Sequence, residues 1–287
     1  MDMKRLREKL VLHVREAGSN ALAKQREIRI EDKGNRDIVT AVDKENGARI
    51  RRELLDLEPQ ISFLGEDTEE YKGSRNVLVV VDPLDATVNY SMGMKQFSIM
   101  AAVLEADVPV FGVIYLPAFD EMITAEKGNG AWLNDGIKKT RLTVSQVDDL
   151  AKAIVSCNRS NYPDEQSMQT TLDIITGLMQ GTRTWRNSGT AGYEYAQLAR
   201  GELHGIVTPL AEGVHIAGYL IMEEAGARVT DNYGNPYGLK SERIVAAHPD
   251  IQPKLLKLVE DHITAGAFQN FLASMPAGEE DDIRSCF

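Results

Sequence analysis

The sequence predicts an α+β protein in which layers of helix and sheet form two closely packed lobes. Helical and strand-like stretches alternate along the 287 residues, no internal repeat or low-complexity linker interrupts them, and 43% of the residues are hydrophobic, enough for a substantial core. The pattern changes near Leu150, so we predict one lobe over residues 1–150 and a second over residues 151–270. The acidic residues 271–287 are predicted to form a flexible tail.

The individual elements follow from hydrophobic periodicity. Apolar residues at helical spacing predict an amphipathic opening helix over residues 3–25, with His13 on the helix surface. A second helix is predicted over residues 43–57. The rest of the first lobe is predicted to contain strands at 61–64, 77–82, 97–105, 109–115 and 121–125. The second lobe is predicted to contain strands at 153–157 and 204–208 and helices at 164–180 and 190–200.

The strongest chemical signal is an apolar run, residues 77–81, that ends in Asp82 and, three residues later, in Asp85. Pro83 ends the strand pattern, so both carboxylates are predicted at a sheet edge where a site can open. With a carbonyl from the intervening turn they would form an oxygen cage suited to a hard divalent cation, and Thr87 adds a hydroxyl beside it. The alternative is an ordinary strand-to-turn junction, where Asp, Pro and Thr serve chain reversal alone.

Two further acidic stretches precede this pair. Glu66 follows the short apolar stretch 61–64, and Asp37, Thr40 and Asp43 precede the predicted second helix. Each stretch has a simpler reading as a solvated turn, and helix capping is the alternative for Asp37, Thr40 and Asp43. Three acidic stretches in this order, two of them following strand-like runs, favour one shared site.

Together these residues resemble the signatures of the inositol monophosphatase family of metal-dependent, lithium-sensitive phosphatases. The resemblance rests on Gly65-Glu66-Asp67, on Asp82-Pro-Leu-Asp85-Ala-Thr87 and on Asp37-x-Val-Thr40-x-x-Asp43, and it continues through residues 112–117, 124–134, 186–190 and 217–227. It covers residues 5–248 in family order. It implies a layered α/β/α/β/α sugar-phosphatase-like fold with two closely packed lobes.

The resemblance also implies roles for single residues. The ligands of two or three Mg²⁺ ions would be Glu66, Asp82, Asp85 and the carbonyl of Leu84. The expected catalytic residues are Glu66, Thr87 and Asp43, with Thr87 orienting the attacking water and Thr40 supporting it. The residues expected to face the substrate are Ala86, Thr87, Gly189 and Thr208. A short helix after Asp85 would direct free amides at the cage, and Ala86 stands where the family usually has glycine, which would restrict the approach of the ligand.

The chain departs from the family's second signature, in which a Trp-Asp pair supplies a metal-binding carboxylate. His215 occupies the position of that aspartate, and His204 and Thr208 stand where relatives commonly have Asp and Glu. His215 is either a ligand, which would favour Mn²⁺ or Zn²⁺ over Mg²⁺, or a structural residue on an apolar face. Two functions therefore stay open: a phosphatase for a small phosphorylated polyol, sugar or nucleotide, and a catalytically weak relative that acts as a binding or regulatory protein.

Composition narrows the partners and the location. A net charge of −11 argues against nucleic acid, whose phosphates require a basic face. No apolar run approaches the roughly 20 residues of a membrane span, and residues 1–6 lack the apolar core of a signal peptide, so a cytoplasmic location is expected. A phosphate ester is repelled by clustered carboxylates unless cations are bound, so metal and small phosphorylated substrate are predicted together. The resemblance implies a homodimer.

Overall fold

Helices and strands alternate throughout the part of the chain that the computed structural model describes, namely residues 2–26, 30–34, 37–158, 164–209, 213–241 and 243–273. The helices in this part are α1 (Met3–Lys24), α2 (Ala41–Leu57), α3 (Thr87–Ser91), α4 (Glu165–Gly181), α5 (Ala191–Ala199), α6 (Ile216–Glu224) and α7 (Gln252–Ala273). The first strands are β1 (Ile30–Gly34), β2 (Asp37–Thr40), β3 (Ser62–Gly65), β4 (Thr68–Tyr71), β5 (Val77–Asp85), β6 (Ser98–Glu105), β7 (Val108–Leu116) and β8 (Glu121–Glu126). The remaining strands are β9 (Gly130–Asn134), β10 (Lys139–Arg141), β11 (Ile154–Cys157), β12 (Thr184–Arg186), β13 (Gly205–Thr208), β14 (Arg228–Asp231) and β15 (Ile244–Ala247).

Strand β5 lies inside an eight-stranded sheet with the order β10-β9-β8-β7-β6-β5-β3-β4. All of its residues except Leu78 are buried, which explains why its sequence is a continuous apolar run and not an alternating one. It pairs in parallel with β3 and antiparallel with β6. The pairing with β6 shifts register between Asp82 and Asp85, where Pro83 has no amide to donate to the ladder.

Helices α1 and α2 cover one face of this sheet. Leu6 and Leu10 of α1 and Ile50 of α2 belong to the same buried cluster as Val79 and Val81 of β5. Residues 79 and 81 point to the same face because side chains alternate along a strand. This helical layer covers the face of β5 that is opposite to α5 and α6.

The prediction that His13 lies on the surface of the opening helix is wrong. His13 is buried with 8% of its surface exposed, and its Nδ1 atom lies 3.0 Å from a carboxylate oxygen of Glu16. Arg49 of α2 donates to the same carboxylate at 2.6 Å, so the second helix covers this part of the first. A histidine buries its apolar ring while one nitrogen keeps a polar partner, so helical spacing alone did not reveal its burial.

A second sheet, with the order β12-β11-β13-β15-β14, lies across α5 and α6 from the first. Tyr195 and Leu220 of these helices pack in one cluster with Val80 and Met100 of the first sheet and Ala246 of the second. The outer face of the second sheet is covered by α4 and α7 through a cluster that includes Ile174, Leu178, Val207, Val245 and Leu255. The layers therefore run helix, sheet, helix, sheet, helix, which confirms the predicted layered α/β/α/β/α fold.

Most predicted elements are confirmed with ends shifted by a few residues. Helix α6 was not predicted because seven of its residues, 216–222, are buried on all sides, and such a helix has no polar face to give a 3.6-residue period. The lobe boundary near residue 150 stays a prediction. The predicted tail begins too early, because residues 271–273 are the last residues of α7, and residues 274–287 lie outside the described residues. None of the described helices combines the length and the apolar character needed to cross a bilayer.

Candidate active site

Asp82 presents a carboxylate oxygen that has no hydrogen-bond partner among the described residues. Its side chain is 1% exposed, and its Oδ1 atom accepts a hydrogen bond from the amide of Leu84 at 3.1 Å, whereas the buried Oδ2 atom accepts none. Burial raises the pKa of Asp82 to about 6, against the opposing effect of His215 and with the added effect of the negative charge of Asp85. Such an oxygen is costly to bury unless a proton or a cation satisfies it.

Asp85 accepts four hydrogen bonds, and three of them connect the first sheet to the start of α5. Its Oδ2 atom accepts from the hydroxyls of Ser98 at 2.9 Å and Thr190 at 2.6 Å and from the amide of Gly192 at 2.9 Å, and its Oδ1 atom accepts from the amide of Ala191 at 3.1 Å. Free amides at a helix N-terminus favour a negative charge there. The close approach requires glycine, because a Cβ atom on Gly192 would lie 2.1 Å from the Oγ atom of Ser98.

His215 lies next to the acidic pair. It ends a short 3-10 turn, Gly213–His215, directly before α6. Its Nε2 atom lies 3.6 Å from Oδ2 of Asp82, and its Nδ1 atom lies 3.4 Å from the hydroxyl of Tyr195. One possible ligand atom from each of Asp82, Asp85 and His215 lies within 4.8 Å of the other two.

This donor set fits a divalent cation. The orphaned Oδ2 atom of Asp82 supplies an oxygen ligand, and a neutral imidazole of His215 supplies a nitrogen ligand next to it. Three of the four hydrogen bonds that Asp85 accepts go to its Oδ2 atom, so its Oδ1 atom, which accepts one, keeps a lone pair for a cation. One imidazole among carboxylates suits Mn²⁺ or Zn²⁺ as well as Mg²⁺.

Thr87, Asp43 and Thr40 form a chain of hydrogen bonds beside the acidic pair. The hydroxyl of Thr87 lies 3.0 Å from Oδ1 of Asp43 and 3.2 Å from the carbonyl of Leu84. Oδ2 of Asp43 accepts from the amide of Thr40 at 2.9 Å and from its hydroxyl, and that hydroxyl accepts from the amide of Val42, which completes a capping box at the start of α2. Burial raises the pKa of Asp43. The capping interpretation is confirmed for Thr40 and Asp43, and the second oxygen of Asp43 remains bonded to Thr87.

Glu66 lies beside this group. It directly follows β3, it is half-buried, and its amide donates to the carbonyl of Val81 at 3.0 Å, one residue before Asp82. Because β3 and β5 are parallel, Glu66 and Asp82 lie at the same edge of the sheet, but the carboxylate of Glu66 is not in the group of Asp82, Asp85 and His215 whose ligand atoms lie within 4.8 Å of one another. Asp37 begins β2, and its side chain lies outside what the structure describes.

Ala86 adopts a left-handed backbone conformation, with φ 68° and ψ 49°, immediately before α3. The predicted short helix after Asp85 is confirmed and begins at Thr87. A side chain in this region of φ and ψ costs roughly 1 to 2 kcal/mol relative to an unstrained residue, a cost that glycine avoids. The chain therefore keeps a methyl group next to the acidic pair at the expense of stability.

Gly189 and Thr208 lie on the other side of the site. Gly189 has φ 70°, and a Cβ atom there would lie 3.1 Å from Oδ1 of Asn89 in α3. Thr208 ends β13 and is buried. The roles of both residues in substrate binding stay predictions.

His204 has a structural partner. Its Nδ1 atom accepts a hydrogen bond from the amide of Ile154 at 3.0 Å, and its own amide donates to the carbonyl of Ile154 at 2.9 Å. Burial lowers the pKa of His204, which is consistent with a neutral ring that accepts a hydrogen bond. This histidine joins the ends of two strands and is not in the group of Asp82, Asp85 and His215.

Sequence reasoning missed several polar residues that hold the site together, namely Ser98, Asn89, Glu194 and Tyr195. Glu194 had a detectable signal, because it is a charged residue within the otherwise apolar stretch of α5. The other three resemble ordinary core or turn residues, so nothing in the local pattern distinguishes them.

The fold and the site define a layered α/β/α/β/α protein with a buried acidic group between its two sheets, at the end of a central strand. The chain belongs to the inositol monophosphatase family, whose model matches residues 3–264. This confirms the resemblance of the motifs. The family acts on small phosphorylated substrates.

Individual relatives give the same picture. The chain is 32% identical to an inositol-1-monophosphatase of Rhizobium meliloti (strain 1021) over 232 residues, which cover 79% of this chain and 85% of the relative. It is 29% identical to a protein of Vibrio cholerae named Nus factor SuhB over 254 residues, 87% of this chain and 92% of the relative.

Among solved structures, it is similar to the Thermotoga maritima IMPase, with a TM-score of 0.81 and 27% identity, covering 92% of this chain and 100% of that one. It is also similar to the suppressor protein suhB of Bartonella henselae, with a TM-score of 0.82 and 29% identity over 89% of this chain and 98% of that one.

Proposed function

We propose that the protein is a metal-dependent phosphomonoesterase that hydrolyses a small phosphorylated polyol, sugar or nucleotide. The observation that carries this proposal is the buried Oδ2 atom of Asp82, which no described residue satisfies with a hydrogen bond and which faces His215 beside Asp85. A phosphate group would be repelled by two carboxylates unless a cation offset their charge. Membership of the inositol monophosphatase family supports the same reaction class.

Asp82, Asp85 and His215 would hold the cation, with Glu66 and the carbonyl of Leu84 as the further predicted ligands. A divalent cation bound there supplies Lewis-acid polarisation of the phosphate and lowers the pKa of a water molecule.

That water would be oriented by the hydroxyl of Thr87, which is itself held by the carboxylate of Asp43. Asp43 accepts a hydrogen bond from the hydroxyl of Thr87, so the lone pairs of the Thr87 oxygen remain available to accept a hydrogen bond from water and orient it. The water would then be fixed opposite the leaving group by a side chain that does not itself bind the phosphate. No covalent intermediate with the enzyme is needed for this attack.

The substrate would reach the acidic pair past Ala86 and Gly189. Because Gly189 has no side chain, its backbone can lie close to Asn89, where a Cβ atom would be 3.1 Å from Oδ1, and the methyl group of Ala86 would narrow the approach of the substrate. Thr208, buried at the end of β13, is the further residue proposed to face the substrate.

Phosphate release from a panel of phosphorylated polyols, sugars and nucleotides, measured with Mg²⁺, Mn²⁺ and Zn²⁺ in turn, tests the proposal. Asp82→Asn should lower turnover by orders of magnitude because it removes a charge that the cation requires. Asp56→Asn is the matched control, since it makes the same change at an exposed position of α2. Near-normal turnover in Asp82→Asn would contradict the proposal.

A second candidate is a weakly active relative that acts as a binding or regulatory protein. The contact between His215 and Asp82 favours it, because a protonated imidazole would neutralise the buried carboxylate without a cation. The name of the Vibrio cholerae relative, Nus factor SuhB, points in the same direction. Absence of divalent-cation binding in calorimetry, together with absence of phosphate release with every metal, would select this candidate. The expected homodimer, cytoplasmic location and lack of a nucleic-acid partner stay predictions.

A further inference from the structure

Glu194 is a buried carboxylate that has no part in the proposed reaction. It lies in α5 and is 1% exposed, and burying an ionised carboxylate is costly unless several donors satisfy it. Its Oε1 atom accepts from the amide of Ser188 at 2.7 Å and from the hydroxyl of the same residue at 2.6 Å. Its Oε2 atom accepts from the hydroxyl of Ser156 in β11. Two of these three donors belong to one residue of the segment 187–190.

Helix α3 holds the other side of this segment. The side-chain amide of Asn89, two residues after Thr87, donates to the carbonyl of Ser188 at 2.9 Å and to the carbonyl of Gln96 at 3.0 Å. Ser188 is therefore fixed through its amide and hydroxyl by α5 and through its carbonyl by α3. The segment 187–190 bridges the helix that carries Thr87 and the helix that carries Glu194.

The far end of the segment reaches the proposed metal site. Gly189 turns the chain with φ 70°, and the hydroxyl of Thr190 then donates to Oδ2 of Asp85 at 2.6 Å. The amides of the next two residues donate to the same carboxylate. A shift of Ser188 would therefore move both Gly189, on the substrate side, and the donors that orient Asp85.

We infer that Glu194 is a positioning residue, whose carboxylate holds Ser188 and thereby sets the Gly189–Thr190 turn for the substrate and for Asp85. The substrate part of this inference rests on the proposed function, whereas the part that concerns Asp85 does not. The alternative role for a buried acid is its negative charge. The hydrogen-bond pattern favours positioning, because two donors from Ser188 converge on a single oxygen and so determine where that residue lies.

Two substitutions of similar size separate geometry from charge. In Glu194→Gln the Oε1 atom can still accept from both donors of Ser188, and the new amide can donate to the hydroxyl of Ser156. That hydroxyl then has the carbonyl of Arg186, 3.2 Å away, as its own acceptor. In Glu194→Leu the amide of Ser188 loses its acceptor within the protein, which leaves a polar group unsatisfied.

Hydrogen exchange of the metal-free protein, followed by mass spectrometry of peptides that cover residues 187–190, provides the first readout. Exchange of this segment should be about tenfold faster in Glu194→Leu and unchanged in Glu194→Gln. Calorimetry should show Mg²⁺ binding about tenfold weaker in the leucine variant only. In the phosphatase assay KM should rise about tenfold in that variant, with a much smaller change in kcat. Thr182→Val is the control, since it removes a buried hydroxyl bond to the carbonyl of Leu178, away from the segment.

Exchange and Mg²⁺ affinity that stay at wild-type values in Glu194→Leu would overturn the inference. Equal losses in Glu194→Gln and Glu194→Leu would overturn it as well, because charge and not geometry would then matter. If Glu194→Leu does not fold, Ser188→Ala removes one of the two donors, and a local increase in exchange is expected. No increase would refute the role. If the wild-type protein has no phosphatase activity, only the proposed function is contradicted. Hydrogen exchange and Mg²⁺ binding still test the role of Glu194.

Discussion

The Nε2 atom of His215 lies 3.6 Å from the Oδ2 atom of Asp82. This separation is too long for a good hydrogen bond, and two donors that are each about 2.1 Å from one tetrahedral cation lie about 3.4 Å apart. The residue that departs from the family signature thus faces the one oxygen of Asp82 that has no hydrogen bond within the described part of the chain. The identity of the bound metal therefore depends on whether His215 and Asp82 bind it together.

Replacing His215 by aspartate should shift the metal preference from Mn²⁺ or Zn²⁺ towards Mg²⁺ and lower the metal concentration that half-saturates the protein. A carboxylate adds negative charge and a hard oxygen, which Mg²⁺ prefers to imidazole. Metal affinity of the wild type should fall as the pH drops, because protons compete with the cation for the imidazole of His215 and for the carboxylate of Asp82, whose pKa is raised to about 6. Calorimetric titration with each metal at several pH values is the measurement.

His204→Asn is the matched control for this experiment. Its side-chain oxygen can replace the Nδ1 atom that accepts from Ile154, so metal preference should not change. Identical metal preference and affinity in His215→Asp and the wild type would show that His215 is not a ligand.

In metal-free protein, Asp82 should make stability fall with rising pH. Its pKa is raised from 3.8 to about 6 in the folded state, so the folded state binds the proton more tightly than the unfolded chain. The free energy of unfolding should therefore decrease between about pH 4 and pH 6, by up to about 3 kcal/mol, with no further loss from this group at higher pH.

Denaturant unfolding in the presence of a chelator, at about pH 4.5 and about pH 7.5, checks this prediction. Asp82→Asn should lose less stability between the two pH values than the wild type, and Asp56→Asn should behave as the wild type does. Added Mg²⁺ should recover the stability of the wild type at the higher pH by binding the folded state. An equal pH dependence in Asp82→Asn and the wild type would argue against a raised pKa of Asp82.

Thr87→Ala should reduce turnover more than metal affinity. Its hydroxyl is bonded to Asp43 and is placed to orient water, so its loss should cost about a hundredfold in kcat and less than about threefold in Mg²⁺ affinity. Thr87→Ser keeps the hydroxyl and should recover most of the turnover. Kinetics and calorimetry on the same preparations show whether kcat or Mg²⁺ affinity falls more. A larger loss of Mg²⁺ affinity would make Thr87 a metal-site residue.

Ala86→Gly should stabilise the protein by up to about 1 kcal/mol, because glycine relieves the left-handed strain at the cost of some chain entropy. Removing the methyl group should also lower KM for the phosphorylated substrate. Ala106→Gly is the control, since Ala106 is exposed and has φ 50° in the turn between β6 and β7. Thermal unfolding should improve in both variants, whereas KM should change only in Ala86→Gly. Equal KM values in the two variants would remove Ala86 from the substrate side.

The sequence by itself determined the strand that carries the site and the residues at its end. The continuous apolar run is a local feature and located the strand, but the prediction that Pro83 ends it is wrong, because β5 continues to Asp85 and accommodates the proline by a register shift against β6. The pairing of Thr40 with Asp43 is also local, because a capping box is closed by residues three positions apart. The layered fold was predicted from the resemblance of the motifs to the inositol monophosphatase family.

Only the tertiary structure decided which partners these residues meet. Asp85 is bonded to Thr190, which is 105 positions away, because the start of α5 packs against β6 between the two sheets. The burial of His13 depends in the same way on the packing of α2 against α1, and the bonds of Glu194 depend on the packing of the segment 187–190 against α5. Sequence periodicity marks a buried face, but it does not encode the atoms that are brought against it, since those belong to elements far away along the chain.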